Sequence, residues 1–118
     1  MPKVLVVEDD AATRRGLETL LRQAGYDVLV ADSVPQGRKA LEEGAPDLLI
    51  TDVRLGEFNG LQLLATSTRP IPAIVATAFA DSALEIEAAR LGAHYLLKPI
   101  VPAVLLTLVE ELLAERQQ

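Results

Sequence analysis

The 118-residue chain contains no cysteine, which removes disulfides and thiol nucleophiles and makes a reducing compartment, the cytoplasm, the expected location. Tryptophan is absent too, and phenylalanine and tyrosine supply two residues each, so the apolar half of the sequence is mostly aliphatic. That half is enough to bury the core of one ordinary domain, and residues 1–118 are read as a single unit. No apolar stretch approaches the roughly 20 residues of a membrane-spanning helix. Met1-Pro2-Lys3 leads straight into a strand-like run, leaving no room for a signal peptide, so no membrane association is expected. Positive charge is in deficit: eleven Lys and Arg against seventeen Asp and Glu give a formal net charge of −6. That balance disfavours nonspecific contact with nucleic acid or anionic lipid, while leaving room for a local basic patch. The single histidine, His94, falls in a turn with no second ligand to suggest a transition-metal site. Internal repeats, low-complexity tracts and linkers are absent as well.

What is present is an alternation of short β-branched or leucine-rich runs with segments of helical period, the pattern of a parallel sheet wrapped by helices. Five β/α units are predicted. Strands are expected at Lys3 to Val7, Asp27 to Ala31, Leu48 to Thr51, Ala73 to Thr77 and, briefly, Tyr95 to Leu97. Asp10 is placed to cap a first helix whose Leu17, Leu20, Leu21 and Ala24 share one face and which Gly25 ends. Ser33 caps a second, from about Pro35 to Glu43, that stops at Gly44-Ala45-Pro46. After a loop from Asp52 to Asn59, a short helix starts near Gly60, and Pro70 and Pro72 force an extended approach to the fourth strand. Asp81 or Ser82 caps a helix running through Leu91, and Pro102 opens the last one.

Reactive residue types stand where these strands end. Glu8-Asp9-Asp10 follow the first, Asp52 the third, Thr77 closes the fourth and Lys98 follows the fifth. Carboxyl ends of strands are where open α/β sheets place their chemistry. Taken singly, each has an ordinary explanation: an acidic helix cap, a turn aspartate, a β-branched strand residue, a solvated lysine. Asp10 fits the cap reading well. Four such coincidences at successive strand ends point instead to one site, with Asp52 as a nucleophile for a phosphoryl group. The incoming group is strongly negative, so repulsion from Glu8, Asp9 and Asp52 must be cancelled. Hard oxygen ligands on strand-end loops suit Mg²⁺, with Asp9 and Asp52 as direct ligands. Lys98 would supply a mobile ammonium and Thr77 a hydroxyl donor to the phosphoryl oxygens.

This constellation resembles the receiver domain of two-component response regulators, over essentially the whole chain from Val4-Leu5-Val6-Val7-Glu8-Asp9 to the last helix. The resemblance implies a flavodoxin-like, doubly wound five-stranded parallel sheet of order 2-1-3-4-5 with five helices. It implies that Glu8 and Asp9 are the acidic pair, Asp52 the phosphoacceptor, Thr77 (followed by Ala78) the switch hydroxyl, Lys98 before Pro99 the lysine, and Tyr95 the aromatic switch position. It further implies phosphotransfer from the phosphohistidine of a histidine kinase or phosphotransfer protein, with the backbone carbonyl of Arg54 completing the magnesium site. Self-phosphotransfer and autodephosphorylation are then expected rather than turnover of external substrates. Lys98-Pro99 is expected to be cis, aiming the lysine inward. Tyr95 also fits an ordinary core residue with its hydroxyl at the surface.

Several positions depart from the family pattern. Gly92-Ala93-His94-Tyr95 is one residue shorter than the usual approach to the fifth strand, glycine stands at Gly56 where proline is common, and Ile100 replaces a frequent aromatic. Arg54 and Phe79 flank the site and could screen an acyl phosphate from water, which predicts slow autodephosphorylation. The last helix carries two apolar sets. Leu105, Val109 and Leu112 should face the sheet, which leaves Val101, Val104 and Leu108 as either ordinary packing or, with the fifth strand, a surface for a homodimer or effector. Two rival functions stand beside the receiver. One is a magnesium-dependent aspartyl-phosphate phosphohydrolase, which Arg54 disfavours because such enzymes carry a second aspartate there for acid and base work. The other is an unphosphorylated pseudo-receiver that only docks.

Overall fold

The computed structural model describes residues 1–55, 58–67, 70–78 and 80–116. Five strands, β1 (Lys3–Val7), β2 (Asp27–Ala31), β3 (Leu48–Thr51), β4 (Ala73–Thr77) and β5 (Ala93–Leu97), pair in parallel in the order β2-β1-β3-β4-β5. Five helices connect and follow them: α1 (Ala11–Gln23), α2 (Val34–Gly44), α3 (Leu61–Ala65), α4 (Ser82–Arg90) and α5 (Pro102–Arg116). Because the direction of winding reverses at β1, the helices divide between the two faces. Leu17 and Leu21 of α1 pack with Leu105, Val109, Leu112 and Leu113 of α5 on Val4, Val6, Leu48, Ile50 and Ile74. The opposite face of the sheet, with Leu5, Val7, Leu49 and Val75, receives Val34 of α2, Leu61 and Leu63 of α3 and Ala88 of α4. The central strands β1, β3 and β4 are therefore covered on both sides, which is why they read as unbroken apolar runs rather than alternating ones.

The predicted caps form. Asp10 accepts from the backbone N–H of Thr13 at 2.9 Å, Ser33 from that of Gln36 at 3.3 Å, and Asp81, rather than Ser82, from those of Ala83 and Leu84. At the end of α1, Gly25 takes φ +97°. Its N–H donates to the Arg22 carbonyl and that of Tyr26 to the Leu21 carbonyl, the paired closure that a left-handed glycine permits.

Three expectations are corrected. The fifth strand starts at Ala93, two residues before Tyr95, because the β4 ladder already pairs Ala73 with Ala93. The segment from Asp52 to Asn59 is not a plain loop: Arg54–Leu55 pairs antiparallel with Phe58–Asn59. Ala24 caps the end of α1 and is exposed rather than part of its buried face.

Helix α5 is apolar on two sides, and its orientation decides which side is core. Leu105 and Val109 are fully buried, whereas Val101 and Val104 are 57% and 52% exposed. Leu105→Ala should cost about 3 kcal/mol through transfer and cavity terms. Val104→Ala should stay within about 0.5 kcal/mol of wild type. Urea denaturation of both variants checks the assignment, and equal losses would overturn it.

Candidate functional site

The ladder hydrogen bonds continue one residue past β1, β3 and β5, and this is what aims the three chemistry-bearing residues. The N–H of Glu8 donates to the Ala31 carbonyl at 3.0 Å, that of Asp52 to the Val7 carbonyl at 3.2 Å, and that of Lys98 to the Thr77 carbonyl at 2.7 Å. Their side chains meet above the sheet. The Lys98 ammonium donates to Asp52 Oδ2 at 2.8 Å and to Glu8 Oε1. The peptide between Lys98 and Pro99 is cis, as expected. The Glu8 side chain is 3% exposed, that of Asp52 13% and that of Lys98 19%, so Asp52 is the carboxylate of this pair with more access to solvent.

Asp9 is exposed beside Glu8, and Arg54, also exposed, donates its backbone N–H to Asp52 Oδ1 at 3.2 Å. Thr77 is fully buried at the end of β4 and Ala78 after it is exposed. Tyr95 is half-buried, packed on the face of the sheet that α4 covers. His94 is exposed, and Phe79 lies outside the described residues. An open groove of about 950 Å³ runs beside the trio, with Thr13, Gly16, Leu20, Ala78, Lys98 and Ile100 in its walls.

Sequence reasoning missed three supporting residues. Arg14 donates from Nη1 to the Glu8 carbonyl at 2.9 Å, a contact across the first turn of α1 that no local pattern announces. Thr51 donates its hydroxyl to the Asp52 carbonyl at 2.9 Å. Gly60 lies so close that a Cβ there would sit 1.8 Å from the Asp52 carbonyl oxygen. A glycine between a turn and a short helix was the one available signal, and it marks close approach rather than an unusual φ.

Burial pushes the Glu8 carboxyl above its ordinary pKa, and repulsion from Asp52 adds to this, against the opposing pull of Lys98. Burial works to lower the Lys98 ammonium, but its hydrogen bonds to Asp52 and Glu8, with their charges, outweigh it and raise the pKa. Among the described residues no three His, Asp or Glu side chains form a ready-made metal cage. The donor set, hard oxygens from two convergent carboxylates and an exposed third, is of the kind that suits a hard, largely hydrated divalent cation such as magnesium. A raised Glu8 pKa means that the charged form is a net cost to the fold. That cost is full above the raised value and is relieved as the pH falls through it. In metal-free buffer, Glu8→Gln should therefore stabilise the protein at pH values above that raised pKa. The gap between variant and wild type should close on acidification, and a destabilised variant in urea titrations would contradict this account.

Comparison with known proteins agrees with this geometry. The response regulator receiver domain family matches residues 4–110. The alginate biosynthesis transcriptional regulatory protein AlgB of Pseudomonas aeruginosa is 36% identical over 104 residues, which are 85% of this chain and 23% of that protein. The transcriptional regulatory protein ZraR of Escherichia coli is 37% identical over 101 residues, 82% of this chain and again 23% of that protein. The chain thus spans about a quarter of the length of these relatives. An uncharacterized 14.6 kDa protein of Leptolyngbya boryana is instead matched over 87% of its length and 92% of this chain, at 35% identity. Among solved structures, a CheY-like response regulator receiver domain protein from Methanospirillum hungatei superposes with a TM-score of 0.95 at 28% identity, covering 99% of this chain and 97% of that one. No described helix is long and apolar enough to cross a membrane. A receiver-type sheet order, a family match over residues 4–110 and relatives that are transcriptional regulatory proteins lead to one conclusion: this chain belongs to the response regulator receiver domain family of two-component systems.

Proposed function

We propose that Asp52 accepts a phosphoryl group from the phosphohistidine of a histidine kinase or phosphotransfer protein, and that residues 1–118 act as one receiver unit in the cytoplasm. The observation that carries this is the Lys98 ammonium held on Asp52 Oδ2 and on Glu8. A carboxylate pair shares one cation, Lys98, which also lines an open groove, and one member of the pair, Asp52, is exposed enough to react. A carboxylate oxygen of Asp52 attacks phosphorus, the N–P bond breaks, and its electron pair leaves with the imidazole, which takes up a proton. Lys98 and Thr77 then donate to the phosphoryl oxygens. Glu8, Asp9, Asp52 and the Arg54 carbonyl would hold magnesium, which would offset the negative charge of donor and carboxylates. Thr77 and Tyr95 would relay the modified state toward β5 and α4.

Incubation with acetyl phosphate and magnesium should add one phosphoryl mass, and Asp52→Asn should abolish the gain. Intact-mass spectrometry reads both. No gain in wild type would favour a pseudo-receiver that only docks, and sustained phosphate release with turnover would favour the phosphohydrolase.

The partner surface we propose joins β5 to α5. Leu97, Val101 and Val104 are exposed there, beside a groove of about 500 Å³ lined by Leu96, Val104 and Leu108. Ile86 of α4 is 68% exposed as well. Isolated exposed apolar side chains are ordinary, but three of them clustered where β5 leads into α5 support a contact. A receiver domain of Klebsiella pneumoniae RstA has been solved as a BeF₃-activated form, 26% identical with a TM-score of 0.87, so beryllofluoride is the probe to use. Light scattering should show a monomer that doubles in mass with beryllofluoride and magnesium. A monomer in both states would leave an effector protein as the occupant.

A further inference from the structure

The strand that delivers Asp52 reads Leu48-Leu49-Ile50-Thr51, and its last residue is the polar exception. Thr51 is 1% exposed and pairs in register with Val7 on one side and Val75 on the other, where a valine would pack equally well. Its hydroxyl has a specific use. It donates to the Asp52 carbonyl at 2.9 Å. From the other side, Gly60 closes on the same carbonyl: a Cβ at Gly60 would lie 1.8 Å from that oxygen and 2.7 Å from Thr51 Oγ1. The Gly60 N–H is directed elsewhere, to the Val53 carbonyl at 2.7 Å.

We propose that Thr51 is a positioning residue for phosphoryl transfer, its hydroxyl and the bare Cα of Gly60 together fixing the main chain of Asp52 and so the aim of its carboxylate. This rests on Asp52 being the acceptor. The links are continuous. The Asp52 N–H is held by Val7, its carbonyl by Thr51, Oδ1 by the Arg54 N–H at 3.2 Å and Oδ2 by Lys98 at 2.8 Å. Rotation of the Asp52–Val53 peptide moves the following turn and carries the Arg54 N–H away from Oδ1. Attack on phosphorus needs near-contact distance and alignment, so a small misdirection of the carboxylate lowers the rate more than it alters donor binding.

Thr51→Val keeps the shape and removes the hydroxyl, while Thr51→Ser keeps the hydroxyl. With acetyl phosphate and saturating magnesium, time courses by intact mass give the maximal phosphorylation rate and the half-saturating donor concentration. Thr51→Val should lower the maximal rate about tenfold with little change in half-saturation. Thr51→Ser should stay within about twofold of wild type. Gly60→Ala, which crowds the same carbonyl and the Thr51 hydroxyl beside it, should also lower the maximal rate. A wild-type maximal rate in Thr51→Val or in Gly60→Ala would overturn the proposal, whatever the melting temperature does. Equal losses in the Val and Ser variants would overturn it too, since packing and not the hydroxyl would then be responsible. Failure of the acceptor assignment is a different result, visible as wild-type protein that gains no phosphoryl mass at all.

Discussion

One ammonium holds the functional end of this molecule together. Glu8 and Asp52 are carried on neighbouring strands whose register is set by the ladder, so their carboxylates are forced into proximity whether or not that is electrostatically favourable. Like charges a few ångströms apart inside a protein repel by several kcal/mol even at an effective dielectric constant of about 20. Lys98, fed from the far side of the sheet by β5, lies between them and cancels one of the two charges. The trio therefore carries one net negative charge, and Asp9 adds a second nearby. That is a poor place for a phosphoryl dianion and a good place for a hydrated divalent cation, which is the electrostatic reason for expecting magnesium chemistry on these residues.

The fold makes the arrangement possible by leaving a crevice where the winding reverses. β1 lies between β2 and β3, so the connections leaving β1 and β3 go to opposite faces and the strand ends between them stay uncovered. Val4 to Val7 are fully buried, yet Asp9, two residues on, is exposed: the transition from core to solvent takes place over one buried carboxylate, Glu8. Main-chain bonds to Ala31, Val7 and Thr77 hold the strand ends at this boundary, so the side chains are directed by sheet geometry rather than by loops. A site built on rigid elements holds its geometry better than one assembled from loops.

Much of this was legible because its physics is local. The caps at Asp10, Ser33 and Asp81 need only a short polar side chain before a helical run, and the central strands need only an apolar segment bounded by turn residues. The two apolar sets of α5 followed from spacing, and the set at Leu105, Val109 and Leu112 is the one that meets the sheet. What was not legible depends on contacts between distant positions or on register. Glu8 and Asp9 are neighbours of the same chemical type, and only the placement of β1 between β2 and β3 makes Glu8 the buried one. The start of β5 at Ala93 was hidden because Ala93 and His94 carry no strand signal, and their assignment comes from pairing with Ala73 and Ile74. Arg14 on the Glu8 carbonyl and Thr51 on the Asp52 carbonyl are side-chain bonds to backbone, invisible to any pattern of residue types.

The same register constrains how a modified Asp52 could be felt elsewhere. Val75 pairs with Tyr95 and Thr77 with Leu97, so Thr77 and Tyr95 sit one step apart along a single strand pair. Alternation along β4 puts Thr77 on the same side as Val75, the face covered by α2, α3 and α4, where Tyr95 packs. A displacement of Thr77 toward Asp52 would therefore open space on the face where Tyr95 already lies, against α4 rather than α5. On the proposed reading the signal reaches the exposed face through a packed layer that includes Ala88, Leu84 and Leu91 of and after α4. Such a layer is close-packed and shifts between discrete arrangements rather than deforming smoothly. On that reading the half-buried state of Tyr95 would be the feature that allows two: a ring already fully inside would have nowhere to go, and one fully outside would have nothing to hold it.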